Sequence, residues 1–293
     1  GLTGVILEAT ISLLSIETAT MRVVGERIPD LDALMSKMVA ADAHHQYSVA
    51  WVDCLARGRS LGRSVLELGD HARRDELPLG RRSTARALEF RPYDRAVAPP
   101  WAPPRLLNRW TVAAFNEAWF RKASKTSETH LVSAGSFFHP LDLVSGWNRV
   151  YGRHGFLQYQ MVVPDGEEET LRRSIEALAD ARCTSFVNVL KRFGAANPAP
   201  LSFPRPGWTL AIDMPASAEG LTGLLDRLDE MVVSAGGRVY LAKDSRLRPD
   251  LLAAMYPELA RWQAVRARVD PEGRLRSDLA RRLPALGPVG GTS

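Results

Sequence analysis

Two glutamines and two lysines are the residues of this sequence best suited to holding a polar ligand. Gln158 and Gln160 alternate within Phe156–Val163 (FLQYQMVV) and so share one face of a strand. Each amide both donates and accepts, which suits a sugar hydroxyl or the edge of a cofactor ring; a plain solvent-facing polar side is the other reading. Lys191 alternates with Val187 and Val189, either as a snorkelling edge residue or as a partner for a phosphate or hydroxyl. Lys243 ends YLAK; partly buried near a cofactor, its amine would acquire a lowered pKa and could move a proton, whereas a salt bridge to Asp244 would make it structural. The opening GLTG allows close backbone approach to a ligand, or is an ordinary turn. No GxSxG, HExxH, P-loop or complete GxGxxG occurs, so hydrolase and nucleoside-triphosphate chemistry lack support. Cys54 and Cys183 stand without a CxxC or a His/Cys cluster, which argues against zinc and leaves a disulfide open. His44 and His45 are adjacent, which on a strand points them to opposite faces, so no metal is expected.

The elements that must position these groups are partly visible in the hydropathy pattern. Val5–Leu13 and Thr20–Val24 are β-branched runs that read as strands, and Gln46–Val52 reads as another. Between them Leu31, Leu34, Met35 and Met38 recur at helical spacing after Pro29. From Phe156 onward the pattern is β-α-β-β-α-β: strands at 156–163, 185–191, 208–213 and 238–242, with helices marked by Leu171, Ile175 and Leu178 and by Leu221, Leu225 and Leu228. That order predicts an α+β fold in which a large antiparallel sheet carries helices on one side and leaves its other face for a ligand. Gly236 and Gly237 stop the second helix, and Ser277 is a candidate N-cap for a last short one. The chain from Arg57 to Arg109 is arginine-rich and includes PPWAPPR, which no helix interior or central strand tolerates; it reads as a long, partly mobile connection.

The chain has 293 residues, 45% of them hydrophobic, enough for one large or two smaller domains. A net charge of +5 suits an anionic surface or a phosphorylated substrate, although arginine from GC-rich genes gives the same balance. The arginines lack the interleaved aromatics of a nucleic-acid module, so no nucleic-acid partner is expected. No apolar run reaches the ~18 residues of a membrane span, and no signal peptide is visible at Gly1.

Several segments together resemble one family. GLTGVILEATI, AWFRK, FFHPLD, GWNRVYG, FVNVLKRFG, APLSFPRPGW, YLAKDSR and MYPELARWQAVRARVDP look like the decaprenylphosphoryl-β-D-ribose oxidase family of vanillyl-alcohol-oxidase-type FAD flavoproteins. The resemblance implies that the chain is the C-terminal part of such a protein. Residues 1–15 would close an FAD-binding domain whose bulk is missing. Residues 16–237 would form the substrate domain, with a mobile loop at about 57–109, and residues 238–293 would return to the FAD-binding domain. FAD would be held non-covalently, with Thr3, Gly4, Val5 and Tyr240 along it. Lys243 and Tyr240 would serve the chemistry. Trp51, Phe138, Gln158, Gln160, Lys191, Thr209 and Lys243 would line the substrate pocket. Phe138 stands where the best-known members have Tyr, and Thr209 and Ala211 replace Asn and Cys, which removes a reactive thiol.

On that resemblance the expected reaction is oxidation of the ribose 2′-hydroxyl of a polyprenyl-phosphate-linked ribose to the 2′-keto sugar. A separate NADH-dependent reductase would complete epimerisation to the arabinose donor for cell-wall arabinan, and a quinone-type acceptor would reoxidise the flavin. The lipid substrate implies membrane association, expected at the periplasmic face of an actinobacterial inner membrane, with the cytoplasmic face as the alternative. The alternatives are a related oxidase of another sugar, polyol or aldonolactone, and a non-catalytic fragment that binds lipid-phosphate sugars.

Overall fold

The computed structural model describes residues 1–90, 96–98 and 107–287. In chain order the elements begin with β1 (Thr20–Ile28), α1 (Leu31–Ala41), β2 (Tyr47–Val52), β3 (Ser64–His71), α2 (Thr84–Ala87), β4 (Ala96–Val97), α3 (Arg109–Lys122) and β5 (Glu128–Ser133). They continue with α4 (Ala134–Phe138), β6 (Val144–Ser145), β7 (Phe156–Pro164), α5 (Glu168–Asp180), β8 (Asn188–Phe193), β9 (Gly207–Pro215), α6 (Leu221–Ser234) and β10 (Arg238–Val239). Helices α7 (Leu252–Met255), α8 (Leu259–Val269) and α9 (Asp278–Arg282) follow. Eight strands form one antiparallel sheet in the order β10-β7-β9-β8-β2-β3-β1-β5, and β4 pairs separately with β6. The α+β class and the large antiparallel sheet expected from the sequence are present.

Alternate residues of each strand serve different purposes. Tyr159, Met161 and Val163 of β7, Leu190 of β8, Trp208, Leu210, Ile212 and Met214 of β9, and Ala50 and Val52 of β2 enter the main core. There they meet Leu31, Leu34 and Met38 of α1, Leu171, Ile175 and Leu178 of α5, and Leu221, Leu225 and Leu228 of α6. The period of two on the strands and of 3.6 on the helices is what lets these surfaces meet. Asp30 caps α1 by accepting from the Ala33 N–H, 2.9 Å. After α6 the backbone turns through Gly236 at φ +67°, and the Gly237 N–H returns to the Val232 carbonyl, 2.7 Å, which ends the helix. The opposite face of the sheet carries the other residues. Its β1–β3 end is covered by Phe137 of α4 packed with Met21, Val23, Tyr47 and Val49, and Gly69 is needed there because a Cβ would stand 2.5 Å from the Phe137 ring. The β2–β8–β9–β7 part stays partly open: Lys191 is exposed and Trp51, Gln158, Gln160, Val189 and Ala211 are half-buried, while Thr209 and Asp213 are buried among them.

Several sequence expectations are corrected. Val5–Leu13 is not a strand: it pairs with none of the described strands, and Val5, Ile6, Leu7, Ile11 and Leu13 are exposed. A β-branched run fixes no strand without a partner ladder. The segment Arg57–Arg109 is not a continuous loop, because Ser64–His71 is the interior strand β3, paired with both β1 and β2. Its arginines are partly structural. Arg63 donates to buried Asp53 at 2.9 Å and to Glu117 at 2.6 Å, and Arg82 donates to the Leu77 and Asp75 carbonyls. Arg91, Arg95 and Pro99–Arg105 lie outside the described residues. The final strand stops at Val239 rather than Ala242, since the Lys243 N–H turns back to the Tyr240 carbonyl and the Asp244 carboxylate accepts from the Arg246 and Leu247 N–H groups. His44 and His45 sit in the turn after α1, not on a strand. Cys54 and Cys183 are free, buried thiols with pKa values pushed up by burial.

Candidate active site

The antiparallel register assembles the open part of the sheet. Gln158 of β7 stands opposite Asp213 of β9, Gln160 opposite Ala211, and Ala211 in turn opposite Val189 of β8, which pairs with Trp51 of β2. Lys191 stands opposite Thr209. The Gln160 amide donates to the Thr209 hydroxyl, 3.0 Å, which fixes the orientation of both groups. Trp51 donates from Nε1 to the Phe186 carbonyl, 2.9 Å, and so pins the β8 approach segment to β2. The short β2–β8 ladder of two residue pairs gains a second clamp from buried Asn188, whose amide donates to the Val52 and Ser185 carbonyls.

Tyr240 and Lys243 enter from the turn that follows β10. The Tyr240 N–H donates to the Gln160 carbonyl, 2.8 Å, and its ring stacks on Phe203 at 4.6 Å. Arg246 holds this turn to α6 through buried Asp229, 2.9 Å, and through Asp226, while Arg282 of α9 closes on Asp244 at 2.5 Å. Asp244 is therefore taken by Arg282, and the alternative in which it pairs with Lys243 is not realised. Lys243 makes no ion pair within 4.0 Å among the described residues. Burial lowers its pKa, nearby Asp213 opposes that, and Lys191 adds to it. Protein around the Lys191 ammonium also lowers its pKa, but its side chain is exposed, and water limits the effect.

Asp213, which the sequence reading passed over, is the most constrained group here. It is 1% exposed and neither carboxylate oxygen has a hydrogen-bond partner. Burial pushes its pKa up to about 6; the Gln158 amide and the Lys243 charge ease this only in part, without reaching a full hydrogen bond or ion pair. Its one sequence signal is a carboxylate on a strand whose only other polar residue from Trp208 to Met214 is Thr209. Above it, Tyr151 stacks between Phe156 at 4.6 Å and Phe186 at 5.7 Å, forming an aromatic wall with Trp147.

The Asp213 site has a stability consequence with a definite sign. The native carboxyl, at about 6 instead of 3.8, binds a proton more tightly than the unfolded one. Stability is therefore full below the unfolded value and is lost as pH rises through the native value. Asp213→Asn removes that loss. The variant should be more stable than the parent by ~1–3 kcal/mol near neutral pH and show no gain near pH 3, as read by thermal melts across pH. Equal stability at neutral pH would mean that the carboxylate is satisfied in solution.

Not every expected site residue joins this group. Phe138 packs edge-on to Tyr47 at 4.9 Å in a cluster with Phe137 and His71. Tyr47 is four residues along β2 from Trp51, ~13 Å at strand rise, so Phe138 lies at the other end of the face. Thr3, Gly4 and Val5 are exposed and belong to no helix or strand, with a bend at Thr3, and beside them only Leu2 packs on the core. Among the described residues no group of His, Cys, Asp or Glu is placed to hold a metal. Two hollows lie elsewhere: about 220 Å³ between α1 and β1, lined by Glu26, Lys37 and His44, and about 450 Å³ between α5 and α6. The first is apolar with a satisfied Glu26–Lys37 pair and the second is an open charged cleft, so neither competes chemically with the open face.

The family model for D-arabinono-1,4-lactone oxidase matches residues 208–283, the stretch that carries Thr209, Asp213, Tyr240 and Lys243. Decaprenylphosphoryl-β-D-ribose oxidase of Mycolicibacterium smegmatis is 40% identical over 287 residues, covering 98% of this chain and 62% of that protein. An uncharacterized protein of the mprA 5′ region of Streptomyces coelicolor is 41% identical over 292 residues, covering 97% of this chain and 78% of that protein. Among solved structures, a xylooligosaccharide oxidase from Myceliophthora thermophila C1 superposes with a TM-score of 0.48 at 11% identity, over 87% of this chain and 54% of that one. The chain thus spans somewhat under two thirds of the mycobacterial relative. It belongs to the FAD-dependent oxidoreductase family of decaprenylphosphoryl-β-D-ribose oxidase.

Proposed function

We propose that the protein oxidises the 2′-hydroxyl of decaprenylphosphoryl-β-D-ribose, or a close polyprenyl analogue, to the 2′-keto sugar. The observation that carries this is the sheet face where amides, the half-buried Lys243, the exposed Lys191 and an unpartnered carboxylate converge beside an aromatic wall. That set fits FAD as well as a sugar. Gln158 and Gln160 match the donor and acceptor edge of the isoalloxazine or the sugar hydroxyls, and Lys243 is a cation suited to an anionic reduced ring. Tyr240 and the exposed Thr3–Val5 stretch are the proposed contacts along the cofactor. When bound, FAD supplies the two-electron acceptor for the carbinol hydrogen. Lys243 orients the reacting hydroxyl and takes its proton, and Lys191 holds the phosphate or a sugar hydroxyl. The aromatic wall excludes water.

The keto product calls for an NADH-dependent reductase as partner, completing epimerisation towards the arabinose donor for arabinan, and a quinone-type acceptor would renew the flavin. We place the protein at the membrane surface on the periplasmic side, because its substrate carries a long lipid. Among the described residues no helix is long and apolar enough to cross a membrane. A second reading, oxidation of a soluble sugar, polyol or aldonolactone, is favoured by Thr209 and Ala211 in the pocket strand and by the lactone-oxidase match over the same stretch. An anaerobic visible spectrum of the FAD-loaded full-length protein separates them. Bleaching by polyprenylphosphoryl ribose supports the first reading; bleaching only by D-arabinono-1,4-lactone or a polyol supports the second.

A further inference from the structure

Asp213 and Tyr151 are neighbouring buried groups with complementary unmet needs. Both Asp213 oxygens lack a donor, and the Tyr151 hydroxyl, on a side chain 7% exposed, lacks any partner. The two are close enough for the carboxylate charge to push the phenol pKa up, yet they do not hydrogen-bond to each other. A fold rarely keeps a carboxylate so far from both water and donors unless something completes it. Neither neighbouring lysine can complete both groups. Lys243 and Lys191 are donors only, and the Tyr151 O–H needs an acceptor. A hydroxyl placed between the two serves both at once, accepting from Tyr151 and donating to Asp213. The stacked Phe156 and Phe186 rings fix the phenol in place, and the β7–β9 register fixes the carboxylate, so both groups are held where they stand.

We propose that Tyr151 and Asp213 form a hydroxyl-binding pair that selects substrates carrying a free hydroxyl at this point of the sugar. The assignment rests on the sugar-oxidase reading and adds to it a determinant of specificity. A site built this way binds its hydroxyl and rejects the deoxy analogue, because the analogue leaves both buried groups unmet. Binding should also strengthen as pH rises through about 6, since the ionised carboxylate is the better acceptor. The other groups facing the pair are Gln158 from β7, Lys191 from β8, Lys243 from the turn after β10, and Cys183 near Tyr151. The glutamine does not titrate, burial pushes the thiol pKa up and lowers those of both lysines, and Asp213→Asn is the control that assigns the pH dependence to the carboxylate.

The test is calorimetric binding of a short-chain prenylphosphoryl ribofuranose and its 2-deoxy and 3-deoxy analogues to the FAD-loaded full-length protein. Wild type is compared with Asp213→Asn and Tyr151→Phe. Each variant should weaken binding of the parent sugar by ~10–100-fold. One deoxy analogue should bind wild type as weakly as the parent sugar binds the variants, and lose nothing further in them. Asp213→Asn should also abolish the pH dependence near 6 while melting no lower than wild type. The proposal is overturned if the variants bind the parent sugar like wild type, which would leave the gap to an ordered water. It is also overturned if the deoxy and variant losses simply add. If wild type does not bind the ribose compound, the lipid-sugar reading fails, and the same comparison is made with D-arabinono-1,4-lactone and xylitol. A wild type that binds none of these overturns the hydroxyl pair as well.

Discussion

Lys243→Ala should slow reduction of the flavin by sugar by ~10²–10⁴-fold in the FAD-loaded full-length protein, the range expected when a positioned acid–base group is removed. The expectation follows from three features. Lys243 is half-buried, it has no carboxylate within ion-pair distance, and its ammonium form is disfavoured by burial and by Lys191. An amine in that state can accept a proton nearer to neutral pH than a solvated lysine can. If it is the base, the rate rises with pH through its lowered pKa, because only the neutral amine takes the proton. Lys243→Arg separates the two roles: it keeps a cation for orientation but cannot deprotonate usefully. Stopped-flow reduction under anaerobic conditions measures all three proteins. Near-normal reduction in Lys243→Ala would remove this residue from the mechanism, whereas rescue by arginine would make it an electrostatic anchor.

Trp208→Ala should cost ~3–5 kcal/mol of stability, the usual range for emptying a buried aromatic site. Trp208 is 1% exposed on β9, between β7 and β8, and belongs to the main core. Its Nε1 donates to Glu168 at 3.1 Å at the start of α5, and the Arg192 guanidinium lies 4.9 Å from its ring. Removing the indole opens a void, frees the Glu168 carboxylate and takes away a surface on which Arg192 rests. Urea unfolding should show a lower midpoint at an unchanged slope. A shift under about 1 kcal/mol would mean that α5 and β9 close over the void.

The sequence shows the second half of the sheet well because both periodicities there are strong and uninterrupted. The strands at Phe156 and Trp208 and the helices at Leu171 and Leu221 appear where the alternation and the helical spacing place them. Strand β3 was hidden by its neighbourhood. Leu66 and Leu68 alternate with Glu67, but the surrounding arginines and turns outweigh so short a signal. Edge strand β5 has four exposed residues out of six, so it carries almost no hydrophobic pattern to detect. The Val5–Leu13 run failed in the opposite sense, because residue type suggests a strand while pairing decides one. Among site residues, Gln158, Gln160, Lys191, Thr209, Tyr240 and Lys243 do meet around the open face, and Trp51 borders it. Asp213 and Tyr151 could not be recognised from spacing, since what marks them is the absence of partners, a property of the packed structure alone.

The interleaving of core and pocket along β9 bears on how such a protein can change over generations. Trp208, Leu210, Ile212 and Met214 hold the fold, while Thr209, Ala211 and Asp213 lie on the opposite face, where the ligand is proposed to bind. The two sets share a backbone yet meet different neighbours, so ligand-side exchanges can accumulate with little debt to the core. A single inserted residue has the reverse effect: it would turn every anchor outward and every ligand contact inward. New selectivity in this lineage is therefore reachable by point substitution at odd-numbered positions of the strand, and closed to insertion and deletion within it.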